Sequence, residues 1–146
     1  MNDSKLLALI KVLDLDTLQV KNRDNFGVKM RVQAAAYLLQ YLGEDGFDYS
    51  FSTYFRGPYS VDLGRGLSLL APAEPGKLKN AEVARWFVDH ELDWLSAATT
   101  IMMLHASYRE NENGEYSAVR HYRERLTREE YTAVLMELKE KGILDR

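Results

Sequence analysis

FDYSFSTYFRGPYSVDLGRGLSLL, residues 47–70, is the stretch on which the fold turns. Its first half alternates, with Phe47, Tyr49, Phe51, Thr53 and Phe55 set against Asp48, Ser50, Ser52, Tyr54 and Arg56. A period of two in β-favouring residues is the pattern of a half-buried strand, expected here over residues 47–55. Gly57-Pro58 is expected to end it, because proline has no N–H to give to a ladder. Ser60 then offers its hydroxyl to the free N–H groups of a helix over residues 61–70, and Asp62 complements that helix's dipole. Leu63, Leu67 and Leu70 form its apolar edge. Gly64 and Gly66 weaken it by about 1 kcal/mol each relative to alanine, so they either admit a close neighbour or mark an imperfect helix.

Upstream, the pattern is helical. Asn25 or Asp24 caps a helix that Gly43 stops, and two apolar stripes run along it. Phe26, Met30, Ala34, Tyr37, Leu38 and Tyr41 make one, and Val28, Val32, Ala35, Leu39 and Leu42 the other. A helix apolar over so much of its circumference belongs at the centre, packed on more than one side, with Lys29, Arg31 and Gln40 on its wet edge. Before it, residues 4–13 read as an amphipathic helix rather than a signal peptide, capped by Asp3 or Ser4. Residues 14–24 read as a polar connection.

Downstream, residues 71–79 form a loop and residues 81–90 a helix. A second helix covers residues 92–108, with the break expected near residues 89–93. Trp86 and Trp94 flank that break as core or half-core residues. Residues 110–114, ENENG, read as a polar turn, and residues 115–126 as either a short helix or an irregular segment. Thr127 and Glu130 make a capping box, with Leu126 stapled to Tyr131. Tyr131, Val134, Leu135 and Leu138 face inward, and Gly142 with Ile143 supplies a Schellman stop.

The expectation is one domain over residues 1–146, α-rich α+β, with six or so helices and one or two short β-strands, an order compatible with a winged helix. At 146 residues the chain is long enough to bury a core without staples. It has no cysteine, which excludes disulfides, zinc thiolates and a cysteine nucleophile and fits a cytoplasmic location. No apolar run reaches the length of a membrane span. The net charge of −3 gives no global argument for nucleic acid.

Two separated pieces, QAAAYLLQYLG (residues 33–43) and FSTYFRGPYSVDL (residues 51–63), resemble the YwgA-like proteins and the related Panacea-type antitoxin domain. Gln33, Tyr37, Leu38 and Leu39 match the family's helix. Tyr54, Gly57, Pro58, Tyr59 and Ser60 match its Gly-Pro-Tyr-Ser-type turn. The resemblance covers residues 25–70, and Ala34 stands where the family helix commonly carries lysine. It implies a toxin-neutralising antitoxin or an adaptor that hands a toxin to a protease, and no enzymatic activity.

Two surfaces are candidates for binding. The first is the corner Tyr54, Arg56, Gly57, Pro58, Tyr59 and Ser60, because tyrosine and arginine are enriched at binding hot spots. The same residues also make a structural corner, with glycine for an unusual φ, proline for rigidity and serine as cap. The second is the basic segment Arg120, Arg123, Arg125 and Arg128. Interleaved with Tyr116 and Tyr122, it suits phosphate contacts, while Glu124 and Glu129 suit a solvated, salt-bridged face.

No catalytic pattern stands out. His90-Glu91 lacks the second histidine of a zinc motif, and no Gly-x-Ser-x-Gly, P-loop or Gly-x-Gly-x-x-Gly is present. His105 sits on an apolar helix face, where a hydrogen-bonded core histidine is expected, and His121 lies in the basic segment. The reading is a binding protein of antitoxin or adaptor kind, with a toxin or protease component as partner and no cofactor or metal. A DNA-binding regulator using the basic segment is the alternative, and an enzyme of unknown type a lesser one.

Overall fold

The computed structural model describes residues 3–22, 25–54 and 57–144, with the backbone alone at Thr53 and Tyr54. In chain order its elements are α1 (Asp3–Val12), α2 (Thr17–Lys21), α3 (Phe26–Tyr41), β1 (Ser52–Tyr54), β2 (Gly57–Tyr59), α4 (Val61–Ser68), α5 (Ala81–Val88), α6 (Leu92–His105), α7 (Glu112–Tyr122) and α8 (Arg128–Glu140). A single 3-10 turn, Ala106–Tyr108, extends α6. The domain is mainly helical, with one short hairpin.

α3 is the central element. It begins where the Val28 N–H donates to Asn25 Oδ1 at 3.1 Å. It ends at Gly43, whose φ of 79° allows a Schellman closure with Gly43 N–H on Gln40 O and Glu44 N–H on Leu39 O. α1, α2, α5, α6 and β2 all pack on it. Ala34, Ala35 and Ala36 are buried, and their small side chains let these neighbours approach. Its middle, residues 32–36, is buried, while its first turns, residues 26–31, stay exposed or half-buried.

α6 is the second axis, packed on α3, α7, α8 and β2. Residues 95–102 of it are all buried. Two of its buried hydroxyls are satisfied within the helix, Thr99 donating to Leu95 O at 2.8 Å and Thr100 to Ser96 O at 2.7 Å, while the buried Ser96 hydroxyl has no partner among the described residues. α8 closes the domain with the expected features. The Thr127–Glu130 capping box is present, Tyr131, Val134, Leu135 and Leu138 are buried, and Ile143 N–H reaches Leu138 O at 3.0 Å.

Four expectations are corrected. The strand over residues 47–55 shrinks to three residues, and Gly57-Pro58 opens a second strand rather than ending the first. The ladder pairs Ser52 with Tyr59, Thr53 with Pro58 and Tyr54 with Gly57. Proline is tolerated there because a two-stranded ribbon has two free edges. Phe47, Tyr49 and Phe51 still alternate inward against exposed Asp48, Ser50 and Ser52. Their backbone is held by a side chain: Gln40 accepts from Tyr49 N–H and donates to Tyr49 O, both at 2.8 Å.

Second, the polar connection contains α2, started by a capping box between Asp16 and Gln19. Third, ENENG is a turn only at its start. Glu110 takes a positive φ of 61°, and α7 begins at Glu112 behind an Asn111 cap. Fourth, Arg31 and Gln40 are not a wet edge. Arg31 is half-buried and its guanidinium donates to Val88 O and His90 O, holding the carbonyls exposed by the break between α5 and α6.

Candidate functional site

The Gly-Pro-Tyr-Ser corner divides by burial. Gly57, Pro58 and Ser60 are buried. Gly57 has a φ of +117°, and a Cβ there would lie 2.7 Å from Thr99 Oγ1 of α6. Only glycine satisfies both conditions. Pro58 packs where α3 and α6 meet, near Ala34 and Leu95. Ser60 caps α4, its hydroxyl accepting from Leu63 N–H at 3.2 Å. Gln33 of α3 grips the Ser60 backbone from the other side, accepting from its N–H at 2.8 Å and donating to its carbonyl at 3.0 Å. These three corner residues are structural.

Tyr59 differs. It is half-buried, its hydroxyl lies over Gly64, where an added Cβ would be 3.3 Å away, and its ring borders a surface groove. The groove has a volume of about 430 Å3 and runs between α2, α3 and α4. Val20, Val28, Val32 and Leu67 give it apolar walls. Lys21, Lys29 and Arg65, one from each helix, give it charge. Val61 and Leu69 on its border are 62% and 68% exposed, large apolar surface that a helix normally turns inward. Arg56, the third residue expected at this corner, lies outside the described residues, as does the side chain of Tyr54.

The sequence signal for the groove was the Asp16-x-x-Gln19 capping box. It starts α2 and so turns a supposed linker into a wall. Gly64 was a second signal, since a glycine inside a helix marks a close approach, here by Tyr59.

The basic segment is engaged with its own surroundings. Arg120 donates to Glu124 O at 2.9 Å, Arg123 pairs with Asp93 at 3.3 Å, and Arg128 donates to Asn113 at 2.8 Å and lies 3.6 Å from Glu112. Arg128 also stacks near the Tyr116 and Tyr131 rings, at 5.2 and 5.6 Å from their centroids. Arg125 faces a different groove of about 380 Å3 between α6 and α8, which also holds Glu91, Asp93, Glu130 and Glu137. Acidic groups so close to these arginines compete with a phosphate for them.

His105 has the hydrogen-bonded role expected of it. Its Nδ1 lies 2.7 Å from Glu115 Oε2, and the Tyr131 hydroxyl donates to Glu115 Oε1 at 2.6 Å. Glu115 is buried, so α6, α7 and α8 are tied through one carboxylate. Burial, then the bond to Glu115, pushes the Tyr131 hydroxyl well above its ordinary range. His90 stacks on Trp94 with ring centroids 3.5 Å apart, and Trp86 meets Trp94 edge-on at 5.6 Å. Glu137 takes the Trp94 N–H at 3.3 Å. Among the described residues no three acidic or histidine side chains converge as metal ligands, and no helix is long and apolar enough to cross a membrane.

The chain matches no family model, no curated protein and no solved structure. Residues 33–43 and 51–63, separate in the sequence, are joined in the fold, because Gln33 from one holds Ser60 from the other.

Proposed function

We propose that this domain acts by binding another protein, as an antitoxin or a proteolytic adaptor does, through the groove between α2, α3 and α4. The observation that carries the reading is the split within the corner. Three of its residues are locked into the core, while Tyr59 is left beside an open groove with apolar walls and an exposed apolar border. Tyrosine, arginine and exposed aliphatic side chains around one concavity are the composition of a binding hot spot. The resemblance of residues 25–70 to antitoxin domains supports the same reading.

The test is a photo-crosslinking residue at Leu69, on the groove border, and a control at Met136, exposed on α8 and outside the groove lining. The full chain carrying the label at Leu69 should trap a protein in its native cell, and the Met136 label should not. No adduct at Leu69, or the same adducts at both positions, would remove the support for this function.

A further inference from the structure

We infer that the occupant of the groove is an acidic segment of the partner protein, carrying apolar side chains that enter between Val28, Tyr59 and Leu67. This rests on the protein-binding reading above and specifies the partner's chemistry.

Charge is the first argument. Lys21, Lys29 and Arg65 come from three helices and converge on one groove. Among the described residues no carboxylate lines it. Among the described residues none of the three forms an ion pair with an acidic side chain. The chain as a whole is acidic, with 22 Asp and Glu against 19 Lys and Arg, so the groove's cations are opposite in sign to the net charge of the chain. Some other cations of the protein do have a carboxylate beside them, as Arg123 has Asp93, Arg128 has Glu112 and Lys5 has Glu44. A field of one sign in a concave site recruits and orients a partner of the other sign.

The walls are the second argument. Valines 20, 28 and 32 with Leu67 gain nothing from a bare anion or a phosphate backbone. A wholly apolar partner would strip water from the three cations without replacing it, which is unfavourable. Only a segment with both acidic and apolar side chains satisfies the two halves of the groove together. Arg65 suits a bidentate carboxylate contact, and Lys21 and Lys29 act as point charges on either side.

The probe is an array of short synthetic peptides graded in acidic and apolar content, read with the labelled full chain. Binding should be enriched for peptides combining Asp or Glu with Leu, Ile or Phe. It should fall about tenfold or more when the apolar residues become serine or the acidic ones lysine, the loss expected for a charge-assisted contact. Arg65 and Lys21 are exposed, so Arg65→Glu and Lys21→Glu leave the core untouched. Each should abolish the acidic preference, and the pair together should shift binding toward lysine-containing peptides. Binding indifferent to peptide charge, binding unchanged by Arg65→Glu, or no enrichment at all would overturn the inference. A protein trapped at Leu69 through a neutral or basic segment would overturn it and leave the protein-binding function standing. No trapped protein would remove both.

Discussion

Gln33 and Ser60 are matched atom for atom. The amide oxygen of the glutamine accepts the serine N–H at 2.8 Å and the amide nitrogen donates to the serine carbonyl at 3.0 Å, with both residues fully enclosed. One turn pair along α3, Gln40 makes the same two contacts with Tyr49. Two side-chain amides thus stand in for a neighbouring strand and hold the extended segment to the central helix.

Replacing Gln33 with leucine leaves two buried backbone groups without partners, so Gln33→Leu is expected to cost about 2–3 kcal/mol. The Gln40–Tyr49 pair is only half-buried, so Gln40→Leu should cost about 1 kcal/mol. Urea unfolding midpoints measure both. Equal losses would show that burial does not set the difference.

Gly57→Ala is expected to be the most damaging alanine substitution among the glycines with positive φ. It meets Thr99 Oγ1 as well as an unfavourable backbone, and about 2 kcal/mol or more is at stake. Gly43→Ala and Gly142→Ala meet nothing within 4 Å, so they should lose only the backbone term, about 1 kcal/mol. Thr99→Ala in the Gly57→Ala background should recover part of the loss. A thermal melt showing no coupling between the two sites would refute the contact.

Glu44 gives the domain a defined acid weakness. Burial raises the pKa of its carboxyl, but hydrogen bonds from Asn80 and Lys79, and the Lys5 ammonium 3.6 Å away, outweigh this and hold it below its ordinary 4.5. A lowered folded-state value means that the stabilisation is present above pH 4.5 and is lost as pH falls through the folded value. Glu44→Gln should therefore be less stable at neutral pH and flatter in stability below pH 4.5. A stability profile with the same acid slope as the unmodified chain would contradict this.

Tyr131 acts at the other end of the pH scale. Its hydroxyl is pushed above its ordinary 10.0, so its contribution is intact below pH 10 and is lost as pH rises beyond it, where the unfolded chain ionises first. Tyr37 is raised in the same direction, by burial and then by Tyr41. Tyr131→Phe removes a partner from buried Glu115, at an expected cost of about 1–3 kcal/mol at pH 7, and should make the alkaline decline shallower. Denaturation series at pH 7 and above pH 10 separate the two effects.

Capping chemistry was legible in the sequence because it is local. Ser60, Thr127 with Glu130, Gly43 and Gly142 each act within a few residues of themselves, and each is where the pattern put it. What escaped was action at a distance. Arg31 acts on carbonyls 57 and 59 positions away, and Gln33 on a residue 27 positions away. On a helix a polar residue reads by default as solvent-facing. Nothing near Arg31 or Gln40 in the sequence says that a chain break or an unpaired strand waits for it. The alternation over residues 47–51 correctly gave the inward side chains. It misled on the ladder, because periodicity reports burial and is silent on which group completes the backbone hydrogen bonds. The groove was hidden for the same reason, since its three walls meet only once α2 is recognised as a helix.

Lys5 of α1 donates to Lys77 O at 2.7 Å, Gly76 N–H reaches Ser4 O at 2.8 Å, and Glu44 holds the start of α5 through Asn80. α1 packs on α5 as well as on α3. α1 thus depends on residues made some seventy positions after it, as the 72-residue span between Lys5 and Lys77 measures. Leu6, Leu9 and Ile10 emerge before the segment that completes their enclosure exists. Each newborn molecule therefore passes through an interval with the apolar face of α1 incompletely covered, the period in which a chaperone has a handle and a crowded cell has an opportunity for misassembly.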